Sequence, residues 1–133
     1  MKIKNKLLIS GFHSVNLILI IFYLYPGSIL GCYIYNNCNI QPQITPNFTI
    51  YSNYWISSNH IYVFAILTVM GIFAYGNTKK IKLLIIYLFL LSIILEIFHL
   101  IIPNRGFEWS DLFGNILGLL FVIVIYKVKN RYV

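Results

Sequence analysis

The chain has 133 residues, 59% hydrophobic and only 10% charged, where an ordinary soluble domain is about 25% charged. So few polar side chains exclude a water-facing domain and point to a single all-α, polytopic membrane unit over 1–133. The net charge of +7 lies in short clusters beside apolar runs, which suits anionic lipid. No aromatic-basic motif accompanies it, so nucleic acid is not expected as a partner.

A bilayer core about 30 Å thick takes about 20 mostly apolar residues per helix. Stretches 7–25, 60–76, 81–102 and 109–126 approach that length and predict four transmembrane helices. A lone strand in lipid would leave its backbone unpaired, and an eight-stranded barrel needs more chain than this. The first span follows Lys2, Lys4 and Lys6, carries His13, Ser14 and Asn16, and stops at Pro26-Gly27. A basic start, an apolar run and Ile29-Leu30-Gly31-Cys32 loosely imitate a lipoprotein cleavage box. Bulky Leu30 and the polar His13 and Asn16 favour a membrane-retained helix instead.

Segment 26–59 carries no charge, whereas Lys79, Lys80 and Lys82 join spans two and three, and Lys127, Lys129 and Arg131 follow span four. Cytoplasmic ends gather positive side chains, so both termini are predicted cytoplasmic and 26–59 is predicted to be an outer loop. Within that loop Cys32 and Cys38 are candidates for a disulfide. A zinc site is a weak reading, because no second pair stands at metal spacing. Asn47-Phe48-Thr49 is a glycosylation pattern that matters only in a eukaryotic secretory pathway. Tyr51, Tyr54 and Trp55 suit the headgroup level.

Span three holds Glu96 six residues before Ile102, so Glu96 is expected roughly 9 Å below the outer end of its helix. A carboxylate there must face the bundle, be paired or be protonated. His99 and Ser92 share its face. All three acidic residues, Glu96, Glu108 and Asp111, fall between 96 and 115, and the one basic residue among them is Arg105. Orientation gives Arg105 no reason to be on the outer side, which implies a local partner or ligand. Glu108, Asp111, Asn115 and Gly118 share one face of the fourth span, and Gly114 and Gly118 form a small-xxx-small pair that permits close helix approach. His60 opens span two at the same predicted depth, while His13 lies far away and reads as structural.

The stretch EIFHLIIPNRGFEWSDLFGNILG resembles the carboxy-terminal signature of the VanZ-like family, matched by Glu96, Arg105, Asp111, Asn115 and Gly118. His60, before an aromatic and apolar helix, resembles the family's other landmark. The resemblance covers about 59–126. The sequence departs from the pattern in lacking an Asp-Lys pair before the histidine, where it reads Ile56-Ser57-Ser58-Asn59. It also has His99 where glutamine is usual, and Phe121 at the final glycine. The resemblance implies a small multi-pass protein of the bacterial inner (cell) membrane, and a family whose namesake is linked to low-level resistance to teicoplanin.

One reading of these residues is a head-group site at the outer leaflet. Arg105 would grip a phosphate through its planar fork, Asn115, Glu108 and His99 would contact the ligand, and Glu96 or Asp111 with His60 would exchange protons. The expected partner is then a membrane lipid or a lipid-linked cell-wall precursor. Glu96-x-x-His99 with Asp111 and His60 could complete a cation site, but one i, i+3 pair is too little to assign a metal, and no cofactor is indicated. The alternatives are a scaffold in which Arg105 clamps Glu96 or Asp111, and a small transporter, which at this size would have to be a homo-oligomer. No nucleotide-binding loop or nucleophile elbow is present, and catalysis stays open.

Overall fold

The computed structural model describes residues 2–51 and 54–132. The side chains of Lys2, Lys4, Tyr51 and Tyr54, invoked above for orientation and headgroup contact, lie outside the described residues. Five helices and one hairpin follow in order: α1 (Lys2–Leu24), α2 (Ile29–Tyr35), β1 (Phe48–Tyr51), β2 (Tyr54–Ile56), α3 (Ser58–Tyr75), α4 (Ile81–Phe98) and α5 (Trp109–Tyr132). α1, α3, α4 and α5 are long and apolar enough to cross a membrane. Each begins at the end where the previous one stops, so the last turns of α1 and α4 meet the first turns of α3 and α5.

The core follows from one stripe per helix. Leu84, Leu88, Leu91 and Leu95 repeat at four, three and four residues along α4 and pack inward against Phe12 and Leu19 of α1, Phe64 and Leu67 of α3, and Leu119 of α5. The opposite faces are equally apolar. Leu83, Ile86, Leu90 and Ile97 of α4 and Phe121 and Val124 of α5 are exposed, as expected of side chains that meet acyl chains.

The most extensive helix contact is between α3 and α5, and the two glycines explain it. A Cβ at Gly114 would stand 2.6 Å from the Ser57 carbonyl oxygen and 2.9 Å from His60 Cβ. One at Gly118 would collide with the Ile61 carbonyl oxygen. Only residues without a side chain let α5 lie this close to α3.

The third span is shorter than the predicted 81–102. Ahead of Pro103 the helix tightens into i, i+3 bonds, from His99 N–H to Glu96 O, Leu100 N–H to Ile97 O and Ile101 N–H to Phe98 O. A proline ring would clash with the carbonyl of a continuing helix, and it restricts the residue before it. Asn104 then takes a left-handed conformation (φ 59°) to reverse the chain. α5 in turn outruns the predicted 109–126, with Lys129 and Arg131 in its last turn, where cations oppose the helix dipole favourably.

Segment 26–59 is a structured cap, not a plain loop. Gly27 reverses the chain at φ 88°, and Ser28 Oγ then accepts the Gly31 N–H (3.0 Å) to start α2. Left-handed Asn36 ends that helix, and the Cys32–Cys38 disulfide closes the turn beyond it. β1 and β2 form an antiparallel hairpin with Phe48 opposite Ile56 and Thr49 opposite Trp55. The cap is lashed to the first turn of α3. Asn59 Nδ2 donates to Pro42 O (2.7 Å), Ile44 N–H donates to Asn59 Oδ1 (3.0 Å), and Ser58 Oγ donates to Thr45 O (2.6 Å). Ser58 and Asn59, which stand near the family's usual Asp-Lys position, thus serve here to hold the cap down.

Candidate functional site

Beneath the cap, one polar cluster draws on every span. Tyr23 comes from the last turn of α1, His60 from the first turn of α3, Glu96 and His99 from the end of α4, and Asp111 and Asn115 from the first two turns of α5. Glu96 and Asn115 are 0% exposed, and His60 and His99 are nearly so. Groups this deep hold their place only when partnered.

Tyr23 is the hub. Its hydroxyl donates to Asn115 Oδ1 (2.8 Å) and lies 2.9 Å from His60 Nδ1. His60 Nδ1 is itself 3.1 Å from Asn115 Oδ1. An amide oxygen only accepts, so in this arrangement Nδ1 carries the proton. The other ring nitrogen, His60 Nε2, faces Asp111 Oδ2 at 3.3 Å. His99 follows the same logic. Its Nε2 lies 3.0 Å from the Tyr23 carbonyl oxygen, to which it must donate, while Nδ1 points at Glu96 Oε1 (3.4 Å). The His99 ring stacks on Tyr23 at 5.8 Å and 15°.

Glu96 is buried for a reason that helix depth does not supply. Its helix ends two residues later, at Phe98, and the expected depth of 9 Å below the helix end does not hold. Instead the α4–α5 connection folds over the carboxylate, and the Glu108 N–H donates to Glu96 Oε1 at 2.8 Å. Its second oxygen, Oε2, is buried and has no hydrogen-bond partner among the described residues, as is true of Asn115 Nδ2.

A cavity of about 510 Å³ opens beside this cluster, between α1, α3 and the cap. Val15, Ile18, Leu19 and Phe22 line one wall, and Val63 and Ile66 line the other. His60, His99 and Arg105 stand at its polar end. Ile18 and Ile66 are more than half exposed, so the groove opens sideways where acyl chains would lie.

The model of the VanZ/LLP1 family matches residues 11–130. The chain belongs to this family. No curated protein and no solved structure matches it. The family match takes in α1, which the 59–126 resemblance reached only by length and position, and α1 is the VanZ/LLP1 element that brings Tyr23.

Of the seven site residues named from the sequence, His60, Glu96, His99, Asp111 and Asn115 come together in this VanZ/LLP1 protein. Arg105 and Glu108 stand apart. Glu108 immediately precedes α5. Its side chain is exposed and accepts from Ser110 Oγ (3.2 Å), and only its backbone N–H enters the cluster. Arg105 pairs with no carboxylate among the described residues. Its Nε approaches the Tyr25 carbonyl oxygen at 3.4 Å, and its side chain borders the cavity. The expected Arg105 clamp to Glu96 or Asp111 is therefore not formed. Ser92 is buried as expected but bonds its own helix at the Phe89 carbonyl. At the far end His13 bonds the Tyr75 hydroxyl (2.8 Å) and Tyr126 Oη donates to Gly76 O (2.7 Å), a fastening remote from the site.

Proposed function

We propose that this protein binds an amphiphile with an anionic head group, a membrane lipid or a lipid-linked cell-wall precursor, in the outer leaflet of a bacterial cell membrane. The observation that carries the reading is the shape and lining of the 510 Å³ cavity, apolar along its walls and ending at Arg105, His60 and His99. Acyl chain enters through the lateral opening between α1 and α3, and the head group meets Arg105. A guanidinium without a carboxylate partner is a poor structural clamp and a good phosphate fork. In this reading both termini lie in the cytoplasm and the cap faces outward, which the placement of the basic clusters supports. The cluster supplies proton-exchanging groups beside the head group, and the family resemblance extends the reading to teicoplanin susceptibility.

The test is retention of phosphatidylglycerol against phosphatidylcholine by protein in detergent, read by native mass spectrometry. Phosphatidylglycerol is retained preferentially by the wild type, and Arg105→Gln loses about tenfold, or about 1.4 kcal/mol. Equal retention of both lipids, or an Arg105→Gln variant that binds like wild type, would overturn the proposal.

A further inference from the structure

We propose that His60, Glu96 and Asp111 together hold one divalent cation, with His60 bound through Nε2. The three residues come from α3, α4 and α5, and one ligand atom from each lies within 4.8 Å of the other two. Convergence from three spans is a property of the tertiary packing and not of sequence neighbours.

Hydrogen bonding decides what these atoms can do. His60 Nδ1 faces the Asn115 amide oxygen and holds the ring proton, so a neutral ring turns its Nε2 lone pair on Asp111 Oδ2. Glu96 Oε1 accepts the Glu108 N–H, while Oε2 has no donor among the described residues and is fully buried. A nitrogen lone pair and two carboxyl groups therefore meet within 4.8 Å, and no hydrogen bond among the described residues joins Glu96 to either of the others. One proton, on His60 Nε2 or on Glu96, would join only two of the three groups. A dication is shared by all three.

The surroundings are those of ligands held in place. A metal-binding histidine ordinarily donates its other ring N–H to an oxygen, and a metal-binding carboxylate is itself hydrogen-bonded. Asn115 and the Glu108 N–H fill those two roles. One imidazole nitrogen with two carboxylate oxygens suits a first-row dication such as Zn²⁺ or Mn²⁺, and three protein ligands leave a coordination position open. His99 lies outside this group of mutually close ligand atoms, although its Nδ1 faces Glu96 Oε1 from the other side. The assignment stands on this packing whatever fills the cavity. If an anionic head group does, its phosphate would meet the open position, with Arg105 alongside.

The experiment strips purified full-length protein with chelator, adds back Zn²⁺ or Mn²⁺ alone, and measures bound metal by elemental analysis together with thermal unfolding. Wild type takes up about one ion per chain and melts at a higher temperature, since a ligand that binds only the folded state stabilises it. Glu96→Gln and Asp111→Asn each lose at least about a hundredfold in affinity, and Asn115→Leu, which removes only the orienting oxygen, loses about tenfold to a hundredfold. Electron paramagnetic resonance of the wild-type Mn²⁺ form needs no variant to fold, and labelled-nitrogen coupling from one histidine is expected. No uptake by wild type, no such coupling, or full uptake by the Glu96→Gln/Asp111→Asn double variant would overturn the assignment. Because the metal is added without lipid, its failure leaves the phosphatidylglycerol result unaffected, and the reverse holds too.

Discussion

Replacing Gly114 or Gly118 with a larger residue tests whether helix contact builds the site. At Gly114 an added Cβ stands 2.6 Å from the Ser57 carbonyl oxygen, where ordinary contact begins at 3.4 Å, so α5 must retreat by about 0.8 Å. At Gly118 the obstacle, the Ile61 carbonyl, is nearer still and belongs to helix backbone that cannot swing aside. Overpacking of this kind costs about 1–3 kcal/mol, and alanine recovers up to about 1 kcal/mol through its better helix propensity. The net expectation is a loss of about 0–2 kcal/mol for Gly114→Ala, a larger loss for Gly118→Ala and the largest for Gly118→Leu. The same retreat stretches the His60–Asp111 and His60–Asn115 contacts of 3.3 and 3.1 Å beyond hydrogen-bonding range. Unfolding in mixed micelles titrated with dodecyl sulfate, followed by circular dichroism, gives the stability order. Metal uptake and lipid retention give the state of the site. Gly106→Ala is the control, since a Cβ there meets nothing within 4 Å. A Gly118→Leu protein as stable as wild type, with its binding intact, would refute the reasoning.

Three further outcomes are expected. Cys32→Ser with Cys38→Ser frees a loop of sequence separation 6 and costs about 2 kcal/mol by the chain-entropy argument; a melting temperature indifferent to reductant in the wild type would contradict it. A cysteine at Asn104 should react with a membrane-impermeant maleimide in intact cells, whereas one at Lys80 reacts only after permeabilisation, and the reverse pattern would invert the proposed orientation. Glu108→Gln, which alters an exposed side chain, should shift stability by less than about 0.5 kcal/mol and leave metal uptake and lipid retention at wild-type levels; a large loss would return the Glu108 side chain to the site.

The four spans were legible because apolar runs of this length have no other stable form in lipid. Their ends were less so. Hydropathy runs on to Ile102, but the helix answers to Pro103 and stops at Phe98, since backbone sterics act over a few residues and leave no trace in hydrophobicity. The elements of the cap are hidden in the sequence because α2 and the β-hairpin are too short for periodicity to show, although Ser28, Asn36 and the two cysteines are local signals of a turn-rich structure. The close face of α5 was visible in the Gly114 and Gly118 spacing. That α3 is its partner is a tertiary fact, which the spacing could not supply.

Tyr23 shows where a sequence argument for the site runs out. It is one of eleven tyrosines, near a span end where aromatic residues are commonplace, and nothing local distinguishes it from Tyr25. Its importance comes from contact with His60, Asn115 and His99, which lie 37, 92 and 76 residues away. The charge balance has the same limit, because in sequence three carboxylates stand against Arg105 alone. With Glu108 turned outward, two remain in the cluster, and Arg105 contacts neither. In neutral rings the histidine nitrogens that face those carboxylates are lone pairs and bring no positive charge of their own. Tyr23 and Asn115 determine which nitrogens these are, because an amide oxygen and a backbone carbonyl on the far side of each ring hold a proton there. The neutral hydroxyl and amide at the hub thus direct where positive charge has to arrive, which makes Asn115→Leu a sharper probe of the cluster than removal of an exposed acid.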